Sequence, residues 1–183
     1  IFILGVLLFL ALVSYSPSDP NFIFPENTKI NNLLGFHGSY ISDLFFQSLG
    51  LIAYLIPLTY IFTGINIFKK KEFLLLIENT FFIILFSLFG SLFFSFFYNN
   101  AFTLFINGNG GFVGSYLSGI FQVTFVNTYE NIFYYSLIIF IVLFFFRSIN
   151  FSIRNFTKSC EKIIRIIFSK NSKSYTNKNE IIN

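Results

Sequence analysis

The chain alternates between long apolar runs and short polar breaks, and the runs are too long for the core helices of a soluble domain. Ile1 to Val13 is apolar throughout, and Leu51 to Phe68, Asn79 to Tyr98 and Asn131 to Ile149 are long stretches almost free of charge. A bilayer core of about 30 Å is crossed by roughly 20 apolar residues in a helix, which satisfies its backbone polar groups within the segment. We therefore expect an all-α integral membrane fold with four transmembrane helices, at about residues 1–13 (truncated), 51–68, 79–98 and 131–149. The second span is open to extension at its start from Ser39 onward. No small-residue cleavage site follows the first run, which argues against a signal peptide.

The polar breaks set the orientation. Lys69, Lys70 and Lys71 lie between spans two and three, and eight further basic residues follow span four, beginning with Arg147. The segment from Ser14 to Leu49 carries only Lys29, and the segment from Asn99 to Glu130 carries no Lys or Arg. Cytoplasmic loops collect Lys and Arg, so both ends of the chain are expected in the cytoplasm and the two longer loops outside. After span four, Arg154, Lys158, Lys162 and Arg165 form one basic stripe with Ile and Phe around it. Residues 151–183 thus read as an amphipathic juxtamembrane segment leading into a polar linker, and 1–150 as the membrane domain. The stripe, together with Lys69, Lys70 and Lys71, is placed to meet an anionic inner leaflet.

An internal repeat refines the architecture. Gly35 to Phe45 reads GFHGSYISDLF and Gly111 to Phe121 reads GFVGSYLSGIF, identical at seven of eleven positions with an offset of 76 residues. This suggests two tandem parallel units of span, outer loop, short interfacial helix and span, related by an axis along the membrane normal. Gly35, Gly38, Gly110, Gly111 and Gly114 read as turns or close approaches. Ser39 and Ser115 read as N-caps of the short helices, the second of which should end near Asn127. Ser87, Gly90, Ser91 and Ser95 place small residues on one face of span three, suited to close helix packing within the bundle or between chains. Pro57 is expected to kink span two.

Composition supports this picture. The 183 residues are 55% hydrophobic and 11% charged with mean hydropathy +0.71, against roughly 25% charged in soluble domains. A soluble globular domain, a disordered chain and a disulfide-stapled module are excluded. Phe supplies 31 residues while Trp and Met are absent; abundant Phe, Ile, Asn and Lys fit an AT-rich genome. The chain opens at Ile1 inside an apolar run, and we read it as a piece of a longer protein.

Candidate chemistry is sparse. His37 is the one histidine and Cys160 the one cysteine, so neither a His-pair metal site nor an internal disulfide can be assembled. Glu78 and Asp43 are the carboxylates nearest the spans, at the inner edge and in the outer short helix respectively. No cofactor is expected, and the glycine cluster at 108–114 lacks the Lys-Ser/Thr of a phosphate cradle.

Three stretches resemble a known family. Ala11 to Phe22, ALVSYSPSDPNF, is similar to the first outer-loop signature of FtsK/SpoIIIE-type bacterial DNA translocases; Ser14, Tyr15, Pro17, Asp19 and Pro20 carry it. Asn31 to Leu58 and Gly108 to Phe121 resemble the family's second segment and its glycine-rich loop. The resemblance implies the N-terminal membrane anchor of a septum-located translocase of cell division and chromosome segregation, in the bacterial inner membrane. It implies division proteins as partners, with homo-oligomerisation and DNA contact only through a hexameric ATPase motor. This chain holds no G-x-x-x-x-G-K-[ST] and is not itself an enzyme. Either the motor lies beyond Asn183 or the chain is a stand-alone anchor. The alternatives are a small transporter or channel subunit and a motor-less membrane division or assembly factor.

Overall fold

The computed structural model describes residues 1–21, 29–98, 106–120 and 128–152, with Thr157, Glu161, Lys162, Ile164, Arg165 and Phe168 beyond them. The chain divides into two units, Ile1–Asn150 and Phe151–Asn183. Among the described residues every regular element is helical: α1 (Phe2–Val13), α2 (Gly35–Leu49), a 3-10 turn (Gly50–Tyr54), α3 (Leu55–Lys70), α4 (Leu74–Phe97), α5 (Gly111–Ile120) and α6 (Glu130–Ser148). Gly35–Lys70, Leu74–Phe97 and Glu130–Ser148 are long and apolar enough to cross a membrane, and Phe2–Val13 is a shorter apolar helix.

Backbone chemistry explains where these helices begin and stop. The end of α1 is closed by Ser14, whose Oγ donates to the Leu10 carbonyl at 2.6 Å. Gly50, at φ +72° and ψ −148°, breaks the helical path between α2 and the 3-10 turn. The break therefore falls at a glycine seven residues before Pro57. Pro57 is the third residue of α3, in the first turn, where prolines are tolerated, and the 3-10 segment Gly50–Tyr54 directly precedes that helix. Lys71 closes α3 in the left-handed region at φ +60°. Helix α4 starts five residues before the expected span and so carries Glu78 and Asn79 inside its first two turns.

Two further expectations are corrected at the short helices. Both start four residues before Ser39 and Ser115, at Gly35 and Gly111, whose φ values are +63° and +64°. Each glycine N–H donates to the carbonyl three residues back, Asn32 and Gly108. The serines are consequently not N-caps. Their hydroxyls reach back to the preceding loops instead, Ser39 to the Pro20 carbonyl at 2.6 Å and Ser115 to the Asn107 carbonyl at 3.4 Å. The expected end of the second short helix near Asn127 lies outside the described residues.

Packing repeats along the chain: α1 lies on α2 and α3, and α4 lies on α5 and α6. The first cluster of buried residues joins Leu8 and Leu12 of α1 to Phe46, Ile52, Ile56, Ile83 and Phe86. Between α4 and α6 the contact is aromatic. Phe82 meets Phe144, Phe86 meets Phe145, Phe89 meets Phe140, Phe93 meets Tyr134 and Phe96 meets Phe133, with ring centroids 5.1–6.1 Å apart. Such ring pairs add about 0.5–1.5 kcal/mol beyond the area they bury. These rings form a ladder between the two helices.

Candidate functional site

Two polar constructions close the bundle, one at each end. The first, at the loop end, is built on Asp19. The Ser16 carbonyl accepts the Asp19 N–H at 3.1 Å across Pro17 and Ser18, a turn that Pro17 pre-forms with its fixed φ. The turn delivers the Asp19 carboxylate, 4% exposed, to the chain just before α2. Oδ1 accepts from the Asn31 backbone N–H at 2.9 Å and from Asn31 Nδ2 at 3.1 Å, and Oδ2 from the Asn32 N–H at 2.8 Å. Asn32, buried as well, donates through Nδ2 to the Ala11 carbonyl at 2.9 Å and accepts the Leu34 N–H at 3.1 Å. The last turn of α1 and the first of α2 are therefore tied by backbone groups paired with side chains. Tyr15 adds a side-chain link, its hydroxyl donating to Asp43 Oδ1 at 3.2 Å while its ring packs on Phe46. Burial, and then the Asp43 carboxylate, push the Tyr15 phenol well above its ordinary value.

Glycines finish this end. A Cβ on Gly50 would run into the Asn109 carbonyl, and one on Gly111 would lie 2.6 Å from the Gly50 nitrogen. That closeness lets the Leu51 N–H donate to the Asn109 carbonyl at 2.9 Å. Gly110 and Gly114 sit against the Ser91 carbonyl, and Gly90 against Ile52. Ser91 is fully buried and donates to the Leu49 carbonyl at 2.8 Å, while Ser95 donates to Ser118 Oγ at 3.0 Å. Ser87 is buried too. The small-residue face of α4 is thus occupied from within the chain, by the 3-10 turn and α5. Gly38 is set against the Asn32 side chain, whereas the space around Gly35 is open.

The second construction, at the basic end, was not legible as a unit from the sequence. Four consecutive residues at the end of α6 are each tied to another helix. Arg147 pairs with Glu78 of α4 and lies over the Phe82 ring, 5.2 Å from its centroid. Ser148 Oγ and Thr59 Oγ1 of α3 are 3.1 Å apart. The Ile149 carbonyl accepts from Asn66 Nδ2 of α3 at 3.2 Å, and Asn150 Nδ2 donates to Asn79 Oδ1 of α4 at 2.8 Å. Asn79, 1% exposed, uses its own Nδ2 to donate to Thr63 Oγ1 at 2.8 Å. Asn150 adopts φ +52°, a left-handed geometry that Asn accepts more readily than most residues. The signal that could have found this cluster is the Thr59/Thr63/Asn66 face of α3, polar at spacings of four and three in an apolar helix.

The other anticipated residues fall into place around these. Lys69 and Lys70 are exposed in the last turn of α3, where cations suit the negative end of the helix dipole. Lys162 and Arg165 are exposed, helical residues of the second unit; Arg154 and Lys158 lie outside the described residues. Among the described residues no cluster of three His, Cys, Asp or Glu side chains is present.

Both constructions lie on segments with a counterpart among known proteins. A family model describing the 4TM region of DNA translocase FtsK/SpoIIIE matches residues 1–161. The chain belongs to this family. It is 32% identical to the DNA translocase FtsK of Rickettsia bellii over 143 residues, 78% of this chain and 18% of that protein. It is 34% identical to the FtsK of Rickettsia typhi over 71 residues and 35% identical to that of Azospirillum brasilense over 72 residues, covering 39% and 38% of this chain. The chain spans less than a fifth of the length of these FtsK relatives. No solved structure gives a significant match. The Asp19 knot, the glycine contacts and the basic-end ties therefore belong to an FtsK/SpoIIIE membrane region.

Proposed function

We propose that this chain is the membrane anchor of a DNA translocase, crossing the bacterial inner membrane four times with both ends in the cytoplasm. It holds a cytoplasmic ATPase motor, supplied by sequence outside the chain, at the division septum, and contacts division proteins through its loop end. DNA is reached through the motor, and tethering raises the effective concentration of motor subunits for ring assembly. The two packing units, α1–α2–α3 and α4–α5–α6, act as tandem halves related by an axis along the membrane normal.

The observation that carries this reading is the run of ties on Arg147, Ser148, Ile149 and Asn150 in a chain of this family. A motor pulling on DNA pulls equally on whatever joins it to the membrane. An exit fixed at four successive residues to α3 and α4 spreads that load over three helices before α6 can move. A transporter would instead place an ionisable group in mid-span facing a cavity; here Glu78, near the start of α4, is engaged by Arg147.

The test is localisation with orientation. A fluorescent reporter fused after Asn183 should mark the envelope and concentrate at the septum of dividing bacteria; an even or soluble signal contradicts the proposal. In a Cys160→Ser background, impermeant thiol reagents added outside cells should label Asn107→Cys and spare Lys70→Cys. The opposite pattern inverts the anchor.

A further inference from the structure

One helical hydrogen bond is missing where α2 gives way to the 3-10 turn, and both of its partners are engaged by a distant segment. In an unbroken α-helix each N–H donates to the carbonyl four residues back, which would pair Leu51 with Gln47. Here the Leu51 N–H donates to the Asn109 carbonyl at 2.9 Å, and the Gln47 carbonyl accepts from Asn107 Nδ2 at 3.2 Å. The Gln47 side chain closes the grip, its Oε1 accepting the Asn107 N–H at 3.3 Å. Leu49 follows the same rule. Its α-helical donor, Ala53, lies in the 3-10 turn, where amides bond three residues back, and the Leu49 carbonyl accepts from Ser91 Oγ at 2.8 Å.

Groups inserted into the i→i−4 ladder are a recognised cause of helix breaks, and all three captors, Ser91, Asn107 and Asn109, belong to the second half of the membrane domain. Gly50 permits the insertion by its positive φ and by lacking a Cβ, which would meet the Asn109 carbonyl. The inserted arrangement also carries a cost. Asn109 is fully buried, and its Nδ2 donates to the Tyr98 carbonyl at 2.6 Å. Its Oδ1 is buried with no hydrogen-bond partner among the described residues, which is unfavourable and which withdrawal toward water relieves. Gln47 and Leu51 can thus be satisfied in two ways, by Asn107 and Asn109 or by each other. That is the requirement for a two-state element.

We propose that Asn107–Asn109 is a wedge that holds the stretch Gly35–Lys70 broken at Gly50, and that its withdrawal lets the Leu51 N–H return to the Gln47 carbonyl. The loop before α5 and the path of α3 are then coupled. Helix α3 follows the 3-10 turn directly and holds the end of α6 through Thr59 and Asn66. Drawing the loop outward closes the helix at residues 47–51 and changes the angle between α2 and α3. The device rests on these bonds alone and stands whether or not the chain anchors a motor.

The test compares the reconstituted 183-residue chain with its Ser91→Ala, Asn107→Ala and doubly substituted variants in two readouts. Each hydrogen bond removed shifts the balance toward withdrawal roughly 2- to 12-fold. The first readout is thiol labelling in a Cys160→Ser, Asn109→Cys background, which keeps the backbone carbonyl that holds Leu51. Labelling at the buried position 109 should accelerate by about that factor for each substitution. The second is solid-state NMR of the variants without Asn109→Cys, in which the Cα resonances of Gly50 and Leu51 should move toward α-helical values. Faster labelling with unchanged Gly50 and Leu51 resonances overturns the proposal, since the loop then leaves without repair of the helix. Unchanged labelling also overturns it, and assigns the break to Gly50 and Pro57 alone.

Discussion

The two ends of the bundle are closed by different chemistry. At the loop end the joints are made by main chain: carboxylate oxygens of Asp19 capturing backbone N–H groups, and glycines letting one backbone lie on another. At the basic end they are made mostly by side chains of three helices: Glu78 with Arg147, Asn79 with Asn150, Thr59 with Ser148. Backbone joints fix a path and tolerate almost no substitution. Side-chain joints fix the register of helices that already pack well, and each one is replaceable at modest cost.

The sharpest way to break this contrast is at the glycines. Gly50→Ala and Gly111→Ala each force a Cβ into backbone at positive φ. Strain and overpacking together should cost about 3–5 kcal/mol, read as loss of folded protein in detergent unfolding. Gly35→Ala has the same φ class and open space, so it should cost only about 1–2 kcal/mol. Equal losses at Gly35 and Gly111 would remove close approach from the account. Asp19→Ala comes next. It strands two backbone N–H groups and the Asn31 amide, a loss of about 2–4 kcal/mol, and Asp19→Asn should recover part of it.

Smaller effects are expected at the basic end. Asn79→Ala should cost about 1–2 kcal/mol, and its double-mutant cycle with Asn150→Ala should show coupling of about 0.5–1 kcal/mol. Additive losses would mean that the two amides do not act as a pair. Glu78→Gln should cost at most about 1 kcal/mol, since both partners are half exposed.

The smallest effect is one of pH. The Tyr15 phenol is shifted upward by burial and by Asp43 from an ordinary value of 10.0. A group raised on folding contributes stability that is intact below its unfolded value and lost above it. The α1–α2 junction should thus be insensitive to Tyr15 up to about pH 10 and weaken beyond it. Tyr15→Phe should remove that alkaline component of unfolding. An unchanged alkaline profile would show that the Tyr15–Asp43 bond adds nothing.

The same contrast explains what could be read from residue order. Of the loop-end knot, Pro17 and Asp19 stood out as a short polar motif in an apolar chain, whereas their partners Asn31 and Asn32, twelve and thirteen residues on from Asp19, did not. The apolar runs likewise gave the helices, to within a few residues at most ends. The basic-end cluster joins Thr59 to Ser148 and Asn79 to Asn150, residues 89 and 71 positions apart, and nothing in local order pairs them. Helix starts at Gly35 and Gly111 were missed because Ser after Gly looks like a cap. The side chains in fact turn backwards to the loops, a choice made by tertiary contact.

The central claim is that the basic-end ties carry load while the loop-end knot holds the fold. It is tested most directly by single-molecule force spectroscopy on the reconstituted chain, pulled from a handle after Asn183. The wild type should release α6 in a distinct first rupture. Combined Asn79→Ala and Asn150→Ala should lower that rupture force and leave later events in place, while Asp19→Asn should leave the first rupture unchanged and weaken a later one. If the paired alanine variant releases α6 at the wild-type force, the ties do not bear the load and this account of the anchor fails.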